Sequence, residues 1–109
     1  MIYVIGDLML DSYINGEVNR LSPEAPVPIL LKSDESFILG GACNVASNIK
    51  NLTKKVKYFG IVGDDKNAEL VKKLLGSSEI DAHLIFSENA PTIKKTRFFS
   101  SSKQILRVD

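Results

Sequence analysis

Short apolar runs alternate with amphipathic segments along much of this 109-residue chain. Residues 2–5, 56–62 and 84–86 are rich in β-branched and aromatic side chains, which is typical of strands. Segments with apolar residues at helical spacing lie between these runs. Strands that alternate with helices indicate a parallel sheet covered by helices, which is an α/β fold. The first run is apolar at every position, so we expect that strand to be buried on both faces.

The two predicted helices have recognisable ends and apolar stripes. The first helix follows Gly40 and Gly41, and its stripe consists of Ala42, Val45, Ala46, Ile49 and Leu52. For the second helix, Asp64 or Asp65 is a suitable N-cap, and Gly76 stands where a C′ glycine belongs. The stripe of the second helix consists of Ala68, Val71, Leu74 and Leu75.

Two further regions do not fit this alternation. Residues 12–18 and 27–33 are half-polar, and the proline-rich stretch 22–28 separates them, so we expect edge strands or a loop. Residues 92–99 and 104–108 predict two more strands, joined by a hairpin loop at 100–103. These strands could join the early ones in a second, smaller sheet. The chain stops inside a strand-like pattern, and we expect it to be part of a longer protein.

Composition and charge exclude several classes of partner. The chain has 14 basic and 13 acidic residues, which gives no electrostatic footprint for nucleic acid or an anionic membrane. Its single cysteine, Cys43, rules out an internal disulfide and suits a reducing compartment, so we expect a cytoplasmic protein. No apolar run approaches the roughly 20 residues of a transmembrane helix, and the first residues do not resemble a signal peptide.

Polar residues and glycines mark a candidate ligand site. Gly40 and Gly41 precede a helix, where the backbone can approach a ligand closely at the positive end of the helix dipole. Asn44 adds a donor and an acceptor in the first turn, although a plain tight turn explains the glycines equally well. Asp7 and Asp11 follow the first strand, where ligands of open α/β sheets bind. For Asp7 we favour a turn cap, and for Asp11 a role in binding.

The segment from Gly40 to Ala46, continuing to Gly63, resembles the first signature of the PfkB/ribokinase family of carbohydrate kinases. Thr53 departs from the pattern, which has glycine or serine there. The opening residues 4–11 also resemble the start of that family. The resemblance implies a ribokinase-like fold with a parallel sheet, flanking helices and a small β-sheet lid that closes over the sugar. It also implies sugar contacts at Asp11, Gly41 and Asn44, and we include the adjacent Gly40.

The lid would comprise residues 12–33 and 92–108, and the α/β part residues 1–11 and 40–90. Three strings resemble one subgroup of the family more narrowly: residues 6–11, Arg-Leu-Ser-Pro-Glu-Ala-Pro-Val-Pro at 20–28, and Pro-Thr-Ile-Lys-Lys-Thr-Arg at 91–97. That subgroup phosphorylates D-glycero-β-D-manno-heptose 7-phosphate in the ADP-heptose pathway to the lipopolysaccharide core. In many bacteria it is fused to an adenylyltransferase.

The resemblance implies transfer of the γ-phosphoryl group of ATP to the anomeric hydroxyl, with Mg²⁺, in a homodimer formed through the lid strands. The family's catalytic base lies in a Gly-Ala-Gly-Asp motif, which this sequence does not contain. We therefore expect no catalytic residue, no nucleotide-binding residue and no metal ligand here, and no kinase activity from this chain alone. Another PfkB-type kinase, for a different sugar or a nucleoside, and a non-catalytic sugar-binding or dimerisation module are the alternatives.

A sugar 7-phosphate needs a cation. The candidates on the expected lid strands are Arg20, Lys94, Lys95, Arg97 and Arg107. We favour Arg97, because arginine makes bidentate contacts with phosphate, while a solvated edge strand with protective charges is the alternative. We expect Cys43 and the single histidine, His83, to have packing or surface roles.

Overall fold

The computed structural model describes residues 1–53 and 55–109 and divides them into two units. The first comprises residues 1–10 and 38–94 and contains the helices, and it is named the α/β unit here. The second comprises residues 11–37 and 95–109 and is named the β unit. No helix in the described part of the chain is long and apolar enough to cross a membrane.

The described residues form strands and helices in the predicted order. In chain order the elements are β1 (Ile2–Ile5), β2 (Leu8–Leu21), β3 (Pro28–Gly41), α1 (Ala42–Thr53), β4 (Val56–Gly63), α2 (Lys66–Ser78), β5 (Asp81–Ser87), β6 (Ile93–Ser100) and β7 (Lys103–Val108). The position at which the sequence departs from the family pattern is thus the last residue of α1.

β2 and β3 are much longer than predicted, at 14 residues each. The prediction ended β2 at Val18 and β3 at Ser33. Beyond Ser33, Asp34 Oδ1 accepts from Asn15 Nδ2 at 2.7 Å and Glu35 Oε1 accepts from Ser12 Oγ at 3.0 Å, so these polar side chains bond across the β2–β3 pair. Cross-strand pairs of this kind keep a polar strand in the sheet.

β1, β4 and β5 form a parallel sheet in the order β1-β4-β5, as predicted from the alternation of strands and helices. Val4 lies beside Tyr58, and Phe59 lies beside His83. Burial alternates along β4, and Tyr58 is fully buried on the side that packs against the helices.

The other side of this sheet is exposed among the described residues. Tyr3, Ile5, Ile61 and Ile85 lie on it, and Ile5 is 79% exposed. The prediction that the first strand is buried on both faces is therefore wrong for the described chain. The physical reason is that α1 and α2 both pack on the side of Val4 and Tyr58.

The predicted stripe of α1 is only partly correct. Cys43 and Ala46 are fully buried against the sheet, whereas Val45 is exposed and Leu52 is 85% exposed. A helix with apolar residues on more than one side has two candidate faces, and periodicity alone does not identify the one that packs.

α2 begins as predicted and ends differently. Asp65 is the N-cap, and its side chain accepts a hydrogen bond from the Ala68 amide. Gly76 lies within the helix, which continues to Ser78 and is followed by Glu79 at φ 62°, so the predicted C′ glycine is wrong. The Ser78 hydroxyl donates to the Leu75 carbonyl, which satisfies an acceptor of the last turn.

Asp65 also ties the segment before β6 to the start of α2. Its Oδ2 accepts from the Thr92 amide at 2.9 Å, while its Oδ1 accepts from the Ala68 amide at 2.8 Å. The buried Thr92 hydroxyl in turn accepts from the Gly63 amide at 3.0 Å. These contacts hold the end of β4, the start of α2 and the entry to β6 together.

The second sheet has the strand order β3-β2-β6-β7, so it exists as predicted but has more strands than the first. β6 and β7 pair antiparallel, with Arg97 beside Arg107. Ser101 and Ser102 join them at φ 51° and 66°, which is the type I′ geometry of a two-residue hairpin turn.

Candidate functional site

The glycine pair forms a tight junction between β3 and α1, against the backbone of Asp7. Gly41 has φ 64°, and a Cβ atom at that position would lie 2.5 Å from the carbonyl oxygen of Asp7. The next amide, that of Ala42, donates to the same carbonyl at 2.8 Å. Glycine is therefore required at position 41 both by its backbone angle and by the close approach of the Asp7 carbonyl.

Three predicted site residues lie in this part of the α/β unit. Gly40 is buried at the end of β3, Gly41 forms the junction, and Asn44 is exposed in the first turn of α1. An exposed amide beside the amino end of a helix can both donate and accept hydrogen bonds to a ligand hydroxyl. Their role in binding stays a prediction.

Tyr58 and Cys43 lie near this junction and are both protonated at neutral pH. The Tyr58 hydroxyl donates to the Gly6 carbonyl at 2.6 Å. Burial, followed by the nearby Cys43 and Asp7, raises the pKa of Tyr58 to about 12. Burial also raises the pKa of the Cys43 thiol to about 11, so this thiol is a packing group, as expected. The sequence pattern does not single out Tyr58, because a tyrosine in an apolar strand has the pattern of an ordinary core residue.

Asp11 and Arg97 are bound to each other in the β unit. The Arg97 Nη1 atom donates to Asp11 Oδ1 at 3.1 Å, and the two side chains are 22% and 17% exposed. This hydrogen bond is the main cause that raises the pKa of Arg97 above its ordinary value. The sequence identifies both residues as candidates for binding but does not predict that they form a pair.

Two aromatic rings continue this face of the β unit. The Arg97 guanidinium lies 5.5 Å from the centre of the Tyr13 ring, and Tyr13 stacks on Phe99 with centroids 6.1 Å apart. Arg107 is the direct neighbour of Arg97 on β7, and its Nη2 donates to Asp109 Oδ2 at 2.8 Å. The surface formed by Asp11, Tyr13, Arg97, Phe99 and Arg107 is named the Asp11–Arg97 face here.

The remaining predicted cations lie elsewhere. Arg20 is exposed near the end of β2 and lines a shallow cavity of about 140 Å³ in the β unit. Lys94 and Lys95 are half-buried where the chain passes from the α/β unit into the β unit. The His83 ring stacks on the Phe59 ring with centroids 5.0 Å apart, and its Nε2 lies 3.1 Å from Asp81 Oδ1. Both contacts agree with the surface or packing role expected for His83.

The Asp11–Arg97 face provides the chemistry for binding a hydroxyl-rich, anionic molecule. A carboxylate accepts hydrogen bonds from hydroxyl groups, arginines bind anions, and aromatic rings pack against the apolar side of a ring-shaped ligand. Within the described part of the chain, no group of at least three His, Cys, Asp or Glu side chains is placed to hold a metal ion.

Comparison with known proteins identifies relatives over the whole length of the chain. The family described as pfkB family carbohydrate kinase matches residues 1–108. Bifunctional protein HldE from Koribacter versatilis is 44% identical over 108 residues, which cover 99% of this chain and 22% of that protein. HldE from Azorhizobium caulinodans is 46% identical over 110 residues, with 99% and 23% coverage. The chain thus spans less than a quarter of the length of these curated relatives.

Solved structures share the fold at lower identity. A carbohydrate kinase from Agrobacterium tumefaciens has a TM-score of 0.78 at 19% identity and covers 98% of this chain and 34% of its own. Ribokinase from Giardia lamblia has a TM-score of 0.74 at 17% identity, with the same coverage of 98% and 34%. These similarities confirm the predicted partial ribokinase-like α/β fold.

Proposed function

The chain belongs to the pfkB family of carbohydrate kinases, and from this premise we propose that it is the sugar-binding and lid portion of a kinase for D-glycero-β-D-manno-heptose 7-phosphate. The reaction would transfer the γ-phosphoryl group of ATP to the O1 hydroxyl of the sugar, in the ADP-heptose pathway to lipopolysaccharide. The observation that carries the proposal is the similarity to HldE proteins over 108 residues, which cover 99% of this chain.

In this proposal Asp11 accepts hydrogen bonds from two neighbouring sugar hydroxyls. The backbone at Gly40 and Gly41 and the side chain of Asn44 are also proposed as sugar contacts, because the resemblance to the family implies them. An arginine of the Asp11–Arg97 face, Arg97 or Arg107, binds the 7-phosphate.

The rest of the reaction is assigned to residues outside this chain. The sequence has no Gly-Ala-Gly-Asp motif, in which the family's catalytic base lies. We therefore propose that the catalytic base and the ATP and Mg²⁺ sites lie elsewhere in a longer protein, and that this chain alone has no kinase activity. Phosphoryl transfer depends on positioning and charge stabilisation, and the contribution of this chain is to position the acceptor.

We also propose a homodimer that forms through the β unit. A cavity of about 410 Å³ lies on this unit and is lined mainly by apolar side chains, among them Ile14, Leu30, Phe98 and Leu106. An apolar surface of this kind on a four-stranded sheet is suited to pack against the same surface of a second copy. We also propose a cytoplasmic location, because a single thiol suits a reducing compartment.

Substitution of Asp11 tests the sugar site. In the full-length gene product, Asp11→Asn should weaken the affinity for the sugar phosphate by roughly tenfold to a hundredfold, because a hydrogen bond to a charged group contributes about 1.5–3 kcal/mol. ATP affinity should stay nearly unchanged. Asp7→Asn, the same change at the other aspartate that follows β1, is the matched control. Isothermal titration calorimetry with each ligand measures both effects, and unchanged sugar affinity in the Asp11 variant refutes the assignment.

A further inference from the structure

The bond between Asp11 and Arg97 connects two neighbouring strands of the β unit. Asp11 lies on β2 and Arg97 on β6, and these strands are adjacent in the sheet order β3-β2-β6-β7. The donor is Nη1 and the acceptor Oδ1, at 3.1 Å. Both side chains are largely shielded from water, which strengthens the bond compared with a surface ion pair.

Aromatic contacts fix the position of the Arg97 guanidinium. It lies 5.5 Å from the centre of the Tyr13 ring, and the Tyr13 ring is itself supported by its stack on Phe99. A cation held over an aromatic ring and bonded to a carboxylate has few rotamers left. The Arg97 side chain is therefore fixed in one conformation before any ligand binds, and in that conformation it bonds to Asp11.

Arg107 provides an internal comparison. It is the same residue type, directly opposite Arg97 in the β6–β7 register. Its side chain bonds to Asp109, which follows the last residue of β7, and is 47% exposed. Like charges at directly opposed positions repel, and the bond to Asp11 offsets this repulsion for Arg97.

We infer that Arg97 is a positioning residue for Asp11, which fixes the carboxylate through Oδ1 and directs Oδ2 to the hydroxyl groups of the sugar. This inference rests on the proposed function and assigns Arg97 a role other than direct contact with the 7-phosphate. A carboxylate that is held by one oxygen accepts hydrogen bonds from a ligand at a smaller cost in conformational entropy. Arg107, which does not touch Asp11, remains for the phosphate.

The two roles of Arg97 predict different dependence on the phosphate group. A positioning residue acts through Asp11, so its loss weakens binding of the sugar with or without phosphate. Loss of a residue that contacts the phosphate weakens binding of the phosphorylated sugar alone. A second distinction is energetic coupling, since removal of Arg97 should have little further effect when Asp11 is already replaced.

The experiment measures the affinity of the full-length gene product for the heptose 7-phosphate and for the same heptose without phosphate, by isothermal titration calorimetry. Arg97→Gln should weaken both affinities by the same factor, about tenfold or more. In the Asp11→Asn background the same change should alter either affinity by less than about threefold. Arg97→Lys, which keeps a cation, should recover part of the loss, and Arg107→Gln should weaken the affinity for the phosphorylated heptose more than the affinity for the unphosphorylated one.

A loss confined to the phosphorylated sugar in Arg97→Gln would overturn the inference, as would additive effects of the Asp11 and Arg97 substitutions. Arg97→Lys and the neutral pair Asp11→Asn/Arg97→Gln keep the test valid if Arg97→Gln alone does not fold, because neither leaves an unpaired carboxylate. If the wild-type protein binds neither sugar, the proposed function fails, and this inference fails with it. If the wild-type protein binds the sugar but the effects of the Asp11 and Arg97 substitutions are additive, this inference is wrong while the proposed function stands.

Discussion

Asp11 and Arg97 are each predictable as binding candidates, the first from its place after a strand and the second from its charge on an expected lid strand. Their contact with each other is not predictable, because 86 positions of sequence separate them and only the sheet order brings them together. The requirement for glycine at position 41 is likewise only partly predictable from the sequence. The sequence indicates a tight turn before a helix, whereas the carbonyl of Asp7 that fills the space of a side chain is known from the structure alone.

Gly41→Ala should destabilise the protein, whereas Gly76→Ala should stabilise it. At position 41 the φ of 64° and the Asp7 carbonyl at 2.5 Å both oppose a Cβ atom, so we expect a loss of about 1–3 kcal/mol in the free energy of unfolding. At position 76, within α2, no atom lies within 4 Å of the added Cβ, and alanine should gain about 0.5–1 kcal/mol. Urea unfolding of the full-length gene product measures both values. Equal effects of the two substitutions would contradict this account of the junction.

At the scale of elements, the sequence predicts where the helices and parallel strands lie but not how some of them end or which side they bury. The N-cap of α2 is predictable because Asp65 precedes an apolar stripe, while its end is not, because two serines and Glu79 complete the helix beyond Gly76. β3 extends beyond its predicted end at Ser33, because Asp34 and Glu35 accept hydrogen bonds from side chains of β2. Local sequence does not carry information on such partners.

Asp65 makes one part of the stability of the α/β unit dependent on pH. The hydrogen bond from the Thr92 amide, followed by that from Ala68, lowers the pKa of Asp65 below its ordinary value of 3.8. A group with a lowered folded-state pKa contributes its full stability above its unfolded pKa and loses it as the pH falls through the folded pKa. We expect the wild-type protein to lose this contribution below about pH 4.

Asp65→Asn should remove this pH dependence. Asparagine keeps the N-cap but loses the second acceptor oxygen, so the variant should be about 1–2 kcal/mol less stable at pH 7, and the difference should shrink as the pH approaches 3. Thermal unfolding of the full-length gene product between pH 7 and 3 tests this, with Asp64→Asn as the neighbouring control. A difference that stays constant over that range would show that the Asp65 charge has no part in it.

At the scale of the whole molecule, the alternation of apolar strands and helices predicts a parallel sheet, and the half-polar segments predict a second sheet. The sequence does not predict in the same way which faces of the first sheet are covered by other elements. β1 has the composition of a strand buried on both sides, yet Tyr3 and Ile5 are exposed in the described chain. Composition reflects every surface that a strand meets in the complete protein, whereas the structure shows the packing of these residues alone.

The central claim is that this chain provides the sugar-binding part of a heptose 7-phosphate kinase. The direct measurement is phosphoryl transfer by the full-length gene product with ATP and a panel of acceptors, namely the heptose 7-phosphate, ribose, fructose 6-phosphate and a nucleoside, with ³¹P NMR of the products. We predict a new anomeric phosphate on the heptose, with a kcat/KM at least about a hundredfold above that of the other acceptors. Equal or faster turnover of ribose or fructose 6-phosphate, or no transfer to any acceptor, would contradict the claim.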